Sequence, residues 1–100
     1  MTTSTSLKNL AVDTSKPMMP YWAEITKIEN EAPGIATYWL MFQDNFIQKG
    51  YAFHPGQFNM LYLPGYGESA ISISSDPENK DGISHTIRNT GNVTQNIARL

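Results

Sequence analysis

Turn-forming residues cut this chain at short intervals. "ENEAPG" at 29–34, Pro55-Gly56, Pro64-Gly65 and "DPENKDG" at 76–82 each combine residues that preset or permit the dihedrals of a turn. The pieces between them are rich in aromatic and β-branched side chains, which is an all-β rhythm. Five strands follow from it: Tyr21 to Glu29, Ile35 to Phe42, Gln57 to Leu63, Ala70 to Ser75 and Ile83 to Asn89. In the second, Tyr38, Leu40 and Phe42 alternate with Thr37, Trp39 and Met41, so both faces are largely apolar and both expect cover. In the fourth, Ile71 and Ile73 alternate with Ser72 and Ser74.

After the fifth strand the period changes. Val93, Ile97 and Leu100 recur at helical spacing, with Thr90 or Asn92 placed to cap. Residues 43–56 read as a long loop. Residues 1–20, rich in Ser and Thr and closed by Pro17 and Pro20, read as a flexible leader, and 21–100 as the folded domain. Such a sheet leaves edges unpaired, and its helix starts where the chain stops. The sequence therefore reads as the N-terminal piece of a longer protein, truncated before a closing strand.

Composition narrows the function classes. In 100 residues, 40% apolar and 16% charged side chains fit a globular domain. Seven Lys and Arg stand against nine Asp and Glu, for a net charge of -2, and the basic residues are scattered singly. A nucleic-acid binder concentrates positive charge on one face, so that class is disfavoured. No cysteine is present, which excludes disulfides, thiolate metal sites and Cys nucleophiles within the stretch. No apolar run approaches the ~20 residues that span a bilayer. The first residues lack a signal core, so the Asn92-Val93-Thr94 sequon reads as coincidence and the expected location is cytoplasmic.

The polar chemistry gathers in "SAISISSDPENKDGISHTIRNTGNVT", residues 69–94. Ser72 places a hydroxyl on a strand of alternating isoleucines. "TIRNTGNVT" runs strand, Gly-containing turn and helix start, an arrangement that presents backbone N–H groups to a phosphate. Thr90 and Thr94 add hydroxyls there, and Arg88 adds a fork suited to phosphate oxygens. Taken singly, Ser72 is an edge hydroxyl and the turn an ordinary capped helix beside an exposed Arg. Together they describe a ligand with an anionic middle and a flat, partly polar end, such as a dinucleotide cofactor.

"FHPGQFNMLYLPGYGESAISISS" followed by "HTIRNTGNVTQNIARL" resembles the FAD-binding barrel of the ferredoxin–NADP reductase superfamily. The nearest look is to electron-transfer subunits of dihydroorotate dehydrogenase, anaerobic sulfite reductase and the nickel–iron hydrogenase gamma subunit. The resemblance covers roughly Tyr21 to Leu100. It implies a Greek-key flavin-binding barrel with one helix, six strands in full, followed by a nicotinamide-nucleotide domain outside this chain. The family's Arg-x-Tyr-Ser motif falls on Ser69, Ala70, Ile71 and Ser72, so the Ser is kept while Ser69 and Ile71 replace the Arg and Tyr. Thr86, Ile87 and Arg88 match the segment beside the ribityl and pyrophosphate. Gly91, Val93 and Thr94 match the phosphate turn. The resemblance further implies FAD as cofactor and NAD(P)H as co-substrate of the full-length protein. It implies iron–sulfur or hydrogenase and reductase catalytic subunits as partners, and in some relatives a [2Fe–2S] cluster held outside this stretch. As the family works, electrons pass between NAD(P)H and the iron–sulfur partner through the flavin, a flavin-dependent oxidoreductase activity that this chain alone would lack.

The remaining residues invite less. His54 and His85, with no cysteine or carboxylate partner, read as surface histidines rather than a metal pair. Trp22, Trp39, Tyr38 and Tyr62 read as core or interface, and Glu68 as a turn carboxylate within reach of a ribose hydroxyl. The rival from another class is a non-catalytic small β-barrel, OB-like or protein-binding, for which the Gly-x-Val-Thr turn has no purpose.

Overall fold

The computed structural model describes residues 9–13, 21–79 and 82–100. Six strands form one antiparallel sheet: β1 (Asn9–Asp13), β2 (Tyr21–Ala32), β3 (Ile35–Phe42), β4 (Phe58–Leu63), β5 (Gly67–Ser72) and β6 (Ile83–Arg88). Two short helices, α1 (Asn45–Gly50) and α2 (Asn92–Ile97), complete the described elements. The strand order is β5-β4-β1-β2-β3-β6. Two local hairpins, β2–β3 and β4–β5, are therefore joined through β1, which pairs with both β2 and β4, and β6 adds to the far side of β3.

β1 corrects the leader reading for residues 9–13; the rest of residues 1–20 lies outside the described residues. Asn9–Asp13 lies in the middle of the sheet, with Ala11 opposite Trp22 of β2 and Tyr62 of β4. Leu10 and Val12 are fully buried on the inner face, and Ala11 is only 4% exposed between those aromatic neighbours. A strand covered on both faces shows a short apolar run instead of alternation. "LAV" among Ser and Thr is too short a run to announce itself.

Two smaller differences have local causes. Asp44 caps α1 inside the expected loop, its Oδ1 accepting from the Phe46 and Ile47 N–H groups at 2.8 and 3.3 Å. β5 starts at Gly67 rather than Ala70, because the tight turn after Leu63 sets the register Leu63 to Gly67. In that turn the Tyr66 N–H donates to the Leu63 carbonyl at 3.0 Å.

The inner face of the sheet holds the core, built on Leu10, Ala23, Leu40, Leu61 and Ile83, with Ile97 of α2 at one end. Tyr21, Phe42, Tyr51 and Phe53 extend it as a chain of ring contacts, their centroids 5.0 to 6.1 Å apart. Gly82 opens β6 at φ +143°, and a Cβ there would lie 2.7 Å from the Leu40 carbonyl oxygen. That approach admits no side chain.

The sheet does not close. Its edge strands β5 and β6 approach at one end, where Ile73 and His85 form a single antiparallel bridge and Ser74 N–H donates to Ser84 O at 2.8 Å. His85, expected at the surface, is fully buried at this seam. Its position on β6 puts it on the inner side with Ile83 and Ile87, where an uncharged ring packs but an imidazolium does not. Burial pushes its pKa down to about 4, with backbone hydrogen bonding to Ser72 and Ile71 opposing the shift.

The unfolded chain takes up this proton near pH 6.5 and the folded chain only near 4. Stability is thus complete above pH 6.5 and falls as pH drops toward 4, by about 2 kcal/mol between pH 6.5 and 5. Urea denaturation across that window should show the slope in the wild type and lose it in His85→Leu. For Gly82→Ala, strain and the close carbonyl predict a loss of about 1–3 kcal/mol, read from the denaturation midpoint.

Candidate functional site

The open edge of the sheet brings two distant segments side by side: β5 with its extension to Ser75, and β6 running into α2. Strand alternation sorts their side chains. On β5, Ala70 and Ser72 are exposed while Ser69 and Ile71 are half-buried, and Ile71 packs against the core. On β6, Thr86 and Arg88 are exposed while His85 and Ile87 are buried. Ser72 and Ile71 therefore occupy opposite faces. Extending the register of the Ile73–His85 bridge sets Ser72 opposite Thr86, both on the outer face.

That outer face is lined by hydroxyls. Thr37 Oγ1 donates to Glu31 Oε2 at 2.8 Å and lies 2.8 Å from Thr86 Oγ1. Ser74 Oγ lies 3.1 Å from Thr86 Oγ1 and 2.8 Å from Ser84 Oγ. This row crosses β3, β6 and the β5 extension, fastening the seam from outside. The sequence held its signal, since Ser72 and Ser74 alternate with isoleucines and Ser84 and Thr86 with His85 and Ile87. Only the sheet order shows that the two pairs meet. Arg88, on the same face, makes no salt bridge among the described residues.

At the other end, the tip of the β4–β5 hairpin meets the start of α2. Asn92 Nδ2 donates to Tyr66 O at 3.4 Å. A Cβ on Gly67, whose φ is +119°, would meet Val93 Cγ2 at 3.5 Å. Between these segments lies a groove of about 380 Å³, lined by Tyr66 to Ser69 and Thr90 to Thr94. It gathers Ser69, Gly91, Val93 and Thr94 of the candidate residues, with Glu68 as its charged side chain.

Thr94 sits differently from the sequence expectation of a free hydroxyl donor. It is 7% exposed. Its Oγ1 accepts from the Gly91 and Thr90 N–H groups at 2.8 and 3.2 Å and donates to Gly91 O at 3.1 Å. The hydroxyl thus shapes the turn from within. The first-turn N–H groups of α2 have no partner inside the helix, as at any helix start.

The ten candidates fall into three groups: Ala70, Ser72, Thr86 and Arg88 on the outer face; Ser69, Gly91, Val93 and Thr94 around the groove; and Ile71 and Ile87 packed beneath. The donor set suits a neutral, hydrogen-bonding ring edge on the hydroxyl face and an anion near Arg88 and the turn. The groove by itself is at the small end for a ligand site, so a dinucleotide would use both surfaces.

Two curated proteins of Pyrococcus furiosus are similar to this chain. Sulfhydrogenase 1 subunit gamma is 30% identical over 93 residues, covering 93% of this chain and 32% of that protein. Sulfhydrogenase 2 subunit gamma is 32% identical over 84 residues, covering 84% of this chain and 29% of that protein. The chain thus spans about a third of the length of these relatives. No family model and no solved structure matches it. Among the described residues, no helix is long and apolar enough to cross a membrane.

Thr94→Val keeps the side-chain volume and strands two N–H groups of the turn. It should cost about 1–2 kcal/mol, measured as a shift in the chemical denaturation midpoint, while Thr94→Ser should retain most of the stability.

Proposed function

We propose that this chain is the FAD-binding part of an electron-transfer subunit of a hydrogenase-type oxidoreductase. The observation that carries this reading is the juxtaposition of two segments distant in sequence, β5 and the β6–α2 turn. Together they pair a hydroxyl-lined face with a groove at a helix start. The similarity to proteins named as sulfhydrogenase gamma subunits supports the same reading.

In this reading Ser72 offers a hydrogen bond to the flavin ring, and Thr86 lies beside the ribityl chain. Arg88 and the Gly91–Val93 turn take the pyrophosphate, with a planar, always charged fork facing anionic oxygens. Thr94 preforms that turn, and Ile71 and Ile87 support both strands from the core side. Because Ser69 stands where the family motif has an Arg, Arg88 is the cation available to the phosphates. FAD would supply the one- and two-electron chemistry, while the chain contributes placement and a hydrogen-bonding environment. NAD(P)H and an iron–sulfur catalytic subunit would stand at the two ends of the electron path.

The test is a titration of the purified protein with FAD, followed by quenching of flavin fluorescence. Saturable binding is expected, tighter for FAD than for FMN because the groove serves the second phosphate and its nucleoside. Arg88→Ala should weaken FAD binding roughly 10- to 100-fold, the scale of one charge-assisted hydrogen-bond pair. A protein that leaves FAD fluorescence unchanged overturns the proposal.

A further inference from the structure

We infer that His85 is the positioning residue for Ser72: from inside the sheet its imidazole holds the strand segment whose hydroxyl is presented outside. The inference rests on the flavin-binding reading of the Ser72 face. One edge of β5 is fully laddered to β4, with Ser72 opposite Phe58. The other edge faces β6, yet the two strands share only the Ile73–His85 bridge. The bridge itself brings the Thr86 N–H to the Ser72 carbonyl, because the Ile73 N–H is already spent on Gln57 O at 2.7 Å. His85 Nδ1 adds a second, side-chain partner to the same oxygen at 3.1 Å.

A carbonyl oxygen only accepts, so Nδ1 carries the proton and the ring is the Nδ1–H tautomer. Nε2 is then a bare acceptor, buried without a partner among the described residues, as is the Asn59 amide nitrogen on β4. Tyr51 donates to Asn59 Oδ1 at 3.2 Å, so that amide is also held in the Nδ2-inward sense. An unpaired buried polar atom opposes folding. A leucine would fill the same core position without leaving one. What the histidine supplies in exchange is a donor at the Ser72 carbonyl, with the Ile71 backbone also within its hydrogen-bonding reach. Fixing this carbonyl fixes the backbone at Ser72, and alternation then directs its hydroxyl to the outer face beside Thr86.

The experiment is a double-mutant cycle on FAD affinity, read by fluorescence quenching, with His85→Leu, Ser72→Ala and the double variant. If His85 acts through Ser72, each single change weakens binding by a similar factor, roughly tenfold for one neutral hydrogen bond. The double variant is then no weaker than either. His85→Asn, whose amide nitrogen is near the place of Nδ1, should recover affinity relative to His85→Leu. It also carries the test where the leucine variant does not fold. Independently, nitrogen-15 NMR of the wild type should show His85 as the Nδ1–H tautomer. Additive losses in a protein that binds FAD, an Nε2–H tautomer, or His85→Asn no better than His85→Leu each overturn the positioning role alone. A wild type that does not bind FAD instead overturns the functional reading on which it rests.

Discussion

Backbone pairing governs this molecule, and its decisive place is where pairing stops. A strand edge presents N–H and C=O groups that need partners or solvent. The two edges of the six-stranded sheet come together at a single bridge, Ile73 to His85, and beyond it the strands part. Side chains take over there. Inside, the His85 imidazole serves the Ser72 carbonyl. Outside, Thr37, Thr86, Ser74 and Ser84 link their hydroxyls across the gap. The result is a polar seam in an otherwise apolar-cored sheet, with Ser74 and Thr86 exposed, Thr37 and Ser84 buried beside them, and a neutral ring on the inner side.

The groove depends on the same edge. Because β5 pairs on one side with β4 and β6 leads directly into α2, the hairpin tip and the helix start are delivered to one place. Gly67 and Val93 set the distance between them, and the Asn92 amide ties the two backbones. Thr94 spends its hydroxyl on the turn itself, giving a short helix a fixed entry although its N-cap is Gly91, not the expected Thr90 or Asn92. In the reading proposed, the surface offered to the cofactor is mostly backbone and hydroxyl, with Glu68 in the groove and Arg88 on the outer face as its charged side chains. It would orient the cofactor and leave the reactivity to it.

The sulfhydrogenase gamma subunits that resemble this chain are about three times its length. In the reading proposed, this stretch contributes the cradle, and further segments would contribute the route of electrons in and out. The seam's mixed character fits that division. It has hydroxyls to meet a ring edge and a cation for phosphates, but no paired acid and base to carry out chemistry unaided.

Much of the fold was legible in local pattern. The alternation of Ile71 and Ile73 with Ser72 and Ser74, the Pro-Gly turns at 33–34, 55–56 and 64–65, and the helical spacing of Val93 and Ile97 appear in the structure, because each depends on neighbours a few residues away, although β2 runs on to Ala32 through most of the expected turn at 29–34. The candidate stretch at 69–94 was read from the same kind of local pattern. What the sequence alone did not decide was which distant segments would become neighbours. "NLAVD" is a central strand only because β2 and β4 flank it, and His85 is buried only because β6 turns that face inward at the seam. Likewise Thr94 faces its own turn instead of a ligand, and Ile71 parts company with Ser72 by the simple two-residue period of a strand whose inner side the core defines. Side-chain chemistry is written residue by residue, whereas burial and proximity are set by non-local pairing, and only the tertiary structure contains that.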